Sequence, residues 1–185
     1  LVIQARDTVP QAAPVVVMAA LQPPLTTPRK RVVLKLLVDC SGSMGGDSIV
    51  SARLALHGAL AGLTEHDHVS VSRFGSTVEH VLAPSASTPQ TLRRLKPAVD
   101  AIDATLGGTE MEAALRAVFA LPVPRDCAGA DVLLVTDGEI WQAEEMTAAA
   151  RASGHRVFAI GVGSSPAEGV LRALAEATGG ACEFA

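Results

Sequence analysis

Three features of this 185-residue sequence predict an α/β fold built on a doubly wound, mainly parallel central sheet flanked by helices. Short, nearly continuous apolar runs read as strands covered on both faces. Between them lie stretches whose apolar residues recur every three or four positions, the spacing of amphipathic helices. The composition also supplies material for a two-faced core, with 49% hydrophobic and 18% charged residues.

Residues 1–30 stand apart from this alternation. Leu1 to Ala5 and Val15 to Ala19 read as short strands, while Pro10, Pro14, Pro23, Pro24 and Pro28 exclude helix. We read this segment as an N-terminal strand extension or lead-in, the tail of a preceding domain or a linker, with the α/β domain spanning 31–185. A start at Leu1 rather than Met predicts a piece cut from a longer chain.

The first main strand is Val32 to Val38, apolar almost throughout, followed by a helical stripe of Ile49, Ala52, Leu56, Ala59, Leu60 and Leu63. Val69 to Phe74 alternates as a strand, and Val78 to Leu82 adds another. Thr88-Pro89 is a cap with proline at the first helical position, and Pro97 is expected to break or kink the helix that follows. Met111 to Phe119 forms the next helix, Asp131 to Thr136 a buried strand, Ala143 to Ser153 a helix, and Arg156 to Val162 a strand. Ser165 and Glu168 have capping-box spacing at the start of the last helix, which Gly179 and Gly180 end before an edge strand at Ala181 to Phe184.

Composition limits function. Four Phe, one Trp and no Tyr provide little for stacking bases, and a net charge of −4 disfavours phosphate binding, so nucleic acid is not an expected partner. No apolar run reaches the roughly 18 residues of a membrane span, and no leader-like start is present, so no membrane insertion is expected. Cys40, Cys127 and Cys182 are too scattered for zinc, and their odd number leans toward a reducing compartment such as the cytoplasm.

Ligands in doubly wound sheets bind at the carboxyl ends of strands. Asp39, Ser41 and Ser43 follow the first buried strand at alternate positions, which point the same way in an extended chain. Thr109 follows the glycine pair Gly107-Gly108 at a helix start, and Asp137 ends the Asp131 to Thr136 strand. These five oxygen-bearing groups carry only two formal negative charges. Such a set suits a hard cation of the Mg²⁺ type, which takes six oxygens at about 2.1 Å and retains waters where carboxylates are few. Mn²⁺ or Ca²⁺ are the alternatives. Each loop has a bland reading as well: the serines and Asp39 as helix caps, Thr109 with Glu112 as a capping box, and Asp137-Gly138 as a turn.

The order DxSxS (Asp39, Ser41, Ser43), GGT (Gly107, Gly108, Thr109) and TDG (Thr136, Asp137, Gly138) resembles the von Willebrand factor A domain over about residues 30–185. The resemblance implies a metal-ion-dependent adhesion site. Ser41, Ser43 and Thr109 would be direct or near-direct ligands, and Asp39 and Asp137 would act through water. A partner's Asp or Glu would complete the cation's coordination. The segments LVDCSGSMGG, SRFGS and LGGTE are similar to A domains that follow a VIT domain, as in inter-α-trypsin inhibitor heavy chains.

Other motifs weigh less. His66-Asp67-His68 reads as a solvated turn, and His57, His80 and His155 as isolated. Ser43 lacks the first glycine of a nucleophile elbow, since Ser41 occupies that place. Gly161 to Ser165 reads as a strand-to-helix loop without a phosphate-binding lysine, and Arg93, Arg94 and Lys96 as a solvated helix face. Cys40 is expected to pack away from the ligands, Trp141 to line the rim or cover the sheet edge, and Glu110 and Glu139 to bias partner choice. The function expected is a non-enzymatic, cation-dependent protein-binding module. The alternatives are a regulatory or scaffolding module with a structural metal and, last, a metal-assisted hydrolase.

Overall fold

A computed structural model describes residues 2–5, 16–19, 30–127, 129–138, 143–163 and 166–185. The chain divides into two units, Leu1–Lys30 and Arg31–Ala185. In the first, β1 (Val2–Ala5) and β2 (Val16–Ala19) pair antiparallel, with Val2 opposite Ala19.

The second unit holds β3 (Val33–Asp39), α1 (Asp47–Ala61), β4 (His68–Phe74), β5 (Val78–Ala86), α2 (Pro89–Asp100), α3 (Met111–Phe119), β6 (Asp131–Thr136), α4 (Ala143–Ser153), β7 (Arg156–Gly161), α5 (Glu168–Thr178) and β8 (Cys182–Phe184). Its six strands form one sheet in the order β5-β4-β3-β6-β7-β8, parallel except for the β4–β5 hairpin.

Alternate side chains of the central strands feed separate cores, as the period of two dictates. Leu36, Val38, Val69, Val71 and Val135 pack with α1 (Ile49, Ala52, Leu56, Leu60) and α2 (Leu95, Val99). Leu37, Val132, Leu134, Val157 and Ala159 pack with α3 (Met111, Leu115, Val118), α4 (Met146, Ala150) and α5 (Leu171, Leu174). Strand order reverses at β3, which has β4 on one side and β6 on the other, so the loops leaving β3 and β6 flank the switch point.

Several local expectations are corrected. α2 is not broken at Pro97 but continues to Asp100, with Thr88 Oγ1 accepting the Thr91 N–H at 3.1 Å as its cap. Thr109 forms no capping box: Glu110 occupies the N-cap of α3 without a side-chain cap bond. α5 starts at Glu168 behind Ala167, so Glu168 stands too early for a capping box, and Ser165 lies outside the described residues. Its other end closes as expected, on Gly179 at φ 76°, with the Gly180 N–H donating to the Ala175 carbonyl at 2.9 Å. Asp67 is buried rather than solvated and accepts from the backbone N–H of Val32 and Thr64 and from the Thr64 hydroxyl. β5 extends to Ala86, beyond the stretch with a clear apolar pattern, because it is built by pairing with β4.

None of His57, His80 and His155 is isolated. His57 pairs with Asp100 at 2.7 Å, His80 meets the Ser72 hydroxyl at 2.8 Å, and His155 lies 2.8 Å from Lys35 Nζ. Lys35 sits 1% exposed in the middle of the apolar run of β3. Its ammonium donates to the carbonyls of Val118 at 3.0 Å and Leu121 at 2.7 Å, at the end of α3, where a cation is favoured by the helix dipole. Burial lowers the Lys35 amine to about 8 from 10.5. Between those values the unfolded chain holds a proton that the folded chain has lost, so this group adds stability as pH rises through the window. Urea unfolding of wild type and Lys35→Met is therefore expected to diverge from about pH 8 to 10.5, with wild type gaining relative to the variant. Parallel profiles would contradict the assignment.

Candidate metal centre

β3 delivers Asp39 to the carboxyl edge of the sheet, fully buried. The parallel register sets Val38 against Val135, so Asp39 comes level with Thr136 at the end of β6. Thr136 donates its hydroxyl to Asp39 Oδ2 at 2.7 Å and accepts the Gly138 N–H at 3.0 Å. The Ser41 N–H donates to Asp39 Oδ1 at 2.9 Å. One carboxylate thereby fixes both strand-end loops.

Past Ser41 the chain turns into a single 3-10 turn, Gly42–Met44, so simple strand alternation does not place Ser43. The tighter turn still brings Ser43 Oγ to 3.1 Å from Ser41 Oγ. Ser41 is buried and Ser43 exposed, which sets the pair across the rim between core and solvent. Cys40 and Met44 point into the core beneath, and burial raises the Cys40 thiol to about 12.

Backbone hydrogen bonds lace the Thr109 loop to this one. The Leu106 N–H donates to the Cys40 carbonyl at 2.9 Å, and the Gly42 N–H to the Gly107 carbonyl at 2.8 Å. On either side of Thr109, the Gly108 N–H donates to Ser76 Oγ at 2.8 Å and the Glu110 N–H to the Gly75 carbonyl at 2.9 Å. Gly107 adopts φ 78°, where a β-carbon would also press on Ser76 Oγ, so this position requires glycine. Half-buried Thr109 is held from both neighbours, and its hydroxyl caps no helix.

Asp137 completes the set. Its Oδ1 is buried and has no hydrogen-bond partner among the described residues, and its charge acts on Asp39. Burial raises the Asp39 carboxyl above its ordinary value, and the Asp137 charge adds to this, while hydrogen bonds from Ser41 and Thr136 oppose it. A buried, unsatisfied carboxylate oxygen beside a second buried carboxylate is costly in isolation. A divalent cation among these oxygens satisfies the orphan and relieves the repulsion, so the donor set fits a hard cation. Among the described residues, no three His, Cys, Asp or Glu side chains cluster as a metal site. The candidate set therefore depends on hydroxyls.

The structure brings Asp39, Ser41 and Ser43 into direct contact, sets Asp137 close enough to perturb Asp39, and ties the Thr109 backbone to the same loops. Glu110 is exposed beside Thr109, while Glu139 and Trp141 lie outside the described residues. Sequence reasoning missed the bridging role of Thr136 and the tether supplied by Ser76. A hydroxyl as the last residue of a buried strand was the available signal for Thr136.

Residues 31–184 match the family model of the von Willebrand factor type A domain. A von Willebrand factor A domain-containing protein of Dictyostelium discoideum is 33% identical over 155 residues, covering 80% of this chain and 16% of that protein. The chain thus spans about a sixth of that relative's length. A von Willebrand factor type A structure from Catenulispora acidiphila superposes with a TM-score of 0.74 at 24% identity, over 84% of this chain and 38% of that one. Manganese-loaded TRAP protein of Plasmodium vivax gives a TM-score of 0.65 at 25% identity, over 79% of this chain and 63% of that one. Among the described residues no helix is long and apolar enough to cross a membrane.

Thr136→Val tests the bridge between the two strand ends. Losing a hydrogen bond to a carboxylate is expected to cost about 1.5–3 kcal/mol of stability, measured by urea unfolding in EDTA. An unchanged midpoint would show that the bond contributes nothing to holding the loops.

Proposed function

The chain belongs to the von Willebrand factor type A domain family, and on that premise we propose that it is a cation-dependent protein-binding module. Ser41, Ser43 and Thr109 would hold the ion through their hydroxyls, and Asp39 and Asp137 would support it with their carboxylates. Mg²⁺ is the expected ion, with Mn²⁺ or Ca²⁺ as substitutes. The observation carrying this reading is the buried Asp137 Oδ1, without a hydrogen-bond partner among the described residues, whose charge acts on buried Asp39. The manganese-loaded Plasmodium relative is consistent with it.

When bound, the cation supplies a Lewis-acidic position for an Asp or Glu carboxylate of a protein partner. The chain's own residues do the positioning. Asp39 is locked by Ser41 and Thr136, so it is orientated in advance. Thr109 is fixed from both sides, and exposed Ser43 faces the solvent from which a partner arrives. Because the direct donors would be neutral hydroxyls, with Asp39 and Asp137 set back from them, the ion would stay Lewis-acidic toward an incoming carboxylate. The reading is of a binder rather than an enzyme. LVDCSGSMGG, SRFGS and LGGTE support a place among A domains that accompany a VIT domain.

Calorimetry with Mg²⁺, Mn²⁺ and Ca²⁺ is expected to give binding that the Ser41→Ala/Ser43→Ala double variant loses. Asp137→Ala is expected to weaken binding by roughly 10–100-fold, the range for groups that act through an ion's bound shell. Its unfolding midpoint in EDTA should not fall. Absence of binding by wild type would contradict the cation assignment. Unfolding of Asp137→Ala in EDTA would point to a structural role for that carboxylate instead.

A further inference from the structure

A second surface lies on the α1–α2 face of the sheet. α1 buries Ile49, Ala52, Leu56 and Leu60, yet its opposite side is also apolar: Val50 is 50% exposed and Leu54 67% exposed. These are two of the three large hydrophobic side chains exposed among the described residues. A helix apolar on both sides is ordinarily covered on both. Val50, Leu54, His57 and Ala61 follow at steps of four, three and four, the a/d spacing of a helix–helix seam.

The seam runs into a concave groove of about 660 Å³ between α1 and α2. Leu60, Leu63 and Leu92 supply its apolar lining, and Arg93 and Lys96 stand beside them. The groove's one acid, Asp100, is engaged by His57. Arg93, Arg94 and Lys96 form no ion pair among the described residues, so the α2 side presents three cations within four positions.

From these observations we propose that the α1–α2 groove docks an acidic amphipathic helix of a protein partner. The apolar residues of that helix lie along Val50, Leu54, His57 and Ala61, and its acidic flank faces Arg93 and Lys96. Spacing selects a helix, and charge selects an acidic one. A flat lipid surface fits a concave groove poorly, and nucleic acid would find no aromatic side chain there on which to stack. Residues 1–30 are mismatched in charge, with Arg6, Arg29 and Lys30 against the single acid Asp7. The whole chain carries −4, so capture of an acidic peptide has to come from a local positive field.

The test uses the 185-residue chain and a fluorescent designed helix with Leu at its a and d positions and Glu at e and g, alongside a control with Lys at e and g. Anisotropy is expected to show binding of the Glu helix, weakened by salt and unaffected by EDTA, and no binding of the Lys helix. Leu54→Gln and the Arg93→Glu/Lys96→Glu double variant should each lose about tenfold or more in affinity. Amide shifts should map to α1 and α2. Equal binding of both helices, shifts confined elsewhere, or no binding would overturn the proposal. So would preference for anionic vesicles over the Glu helix, or concentration-dependent dimerisation through α1 in sedimentation. Because EDTA leaves this surface intact, its failure is separable from failure of the cation site.

Discussion

The buried Asp39 carboxylate is the constraint on which the site's geometry rests. It ends the central strand, it is removed from water, and its two oxygens are held by the Ser41 amide and the Thr136 hydroxyl. The Thr136 bond joins neighbouring parallel strands at the point where strand order reverses, while the Ser41 bond fixes the turn leaving the first of them. Two residues of the loops above inherit their position from that junction: Ser43 through Ser41, and Gly138 through Thr136. The charge of half-buried Asp137 raises the cost of burying the Asp39 carboxylate. The proposed cation would offset a penalty that the fold has already built in.

Stability and function are divided between the two ends of α3. Near its C-terminus, buried Lys35 binds the carbonyls that the helix leaves open and meets His155. Burial and the Lys35 charge both lower the His155 imidazole, so it stays neutral beside the ammonium. Preceding its N-terminus, Thr109 is positioned by glycine geometry and by Ser76 rather than by helix capping. The helix thus has one end clamped from the core and the other adjoining the site.

Much of the fold was legible because its strands and helices have strong, different periods. The apolar runs at Val33–Asp39 and Asp131–Thr136 could hardly be anything but strands covered on both sides, and the stripes of α1 and α3 matched their buried faces. The candidate residues were legible because their order along the chain is distinctive. What stayed hidden depends on contacts distant in sequence. Lys35 looks out of place in an apolar strand until α3 ends above it, and Asp67 looks solvated until its carboxylate turns in to Val32. Thr109 fits a capping box by spacing alone, but the tether from Glu110 to Gly75 shifts the start of α3. The extended pattern assumed for Asp39, Ser41 and Ser43 gave the right neighbours by the wrong backbone, since a 3-10 turn brings the hydroxyls together.

Aromatic poverty acquires a physical counterpart in this arrangement. With no Tyr and a single Trp, the chain lacks the usual anchors of a protein interface. The proposed ion, shared with a partner's carboxylate, would provide a strong and directional contact without them. Anomalous diffraction from crystals soaked in Mn²⁺ tests this most directly. The account predicts a peak bounded by Asp39, Ser41, Ser43, Thr109 and Asp137, with one coordination position not filled by the chain's own side chains. No peak there, or Mn²⁺ found only at other places on the surface, would contradict it.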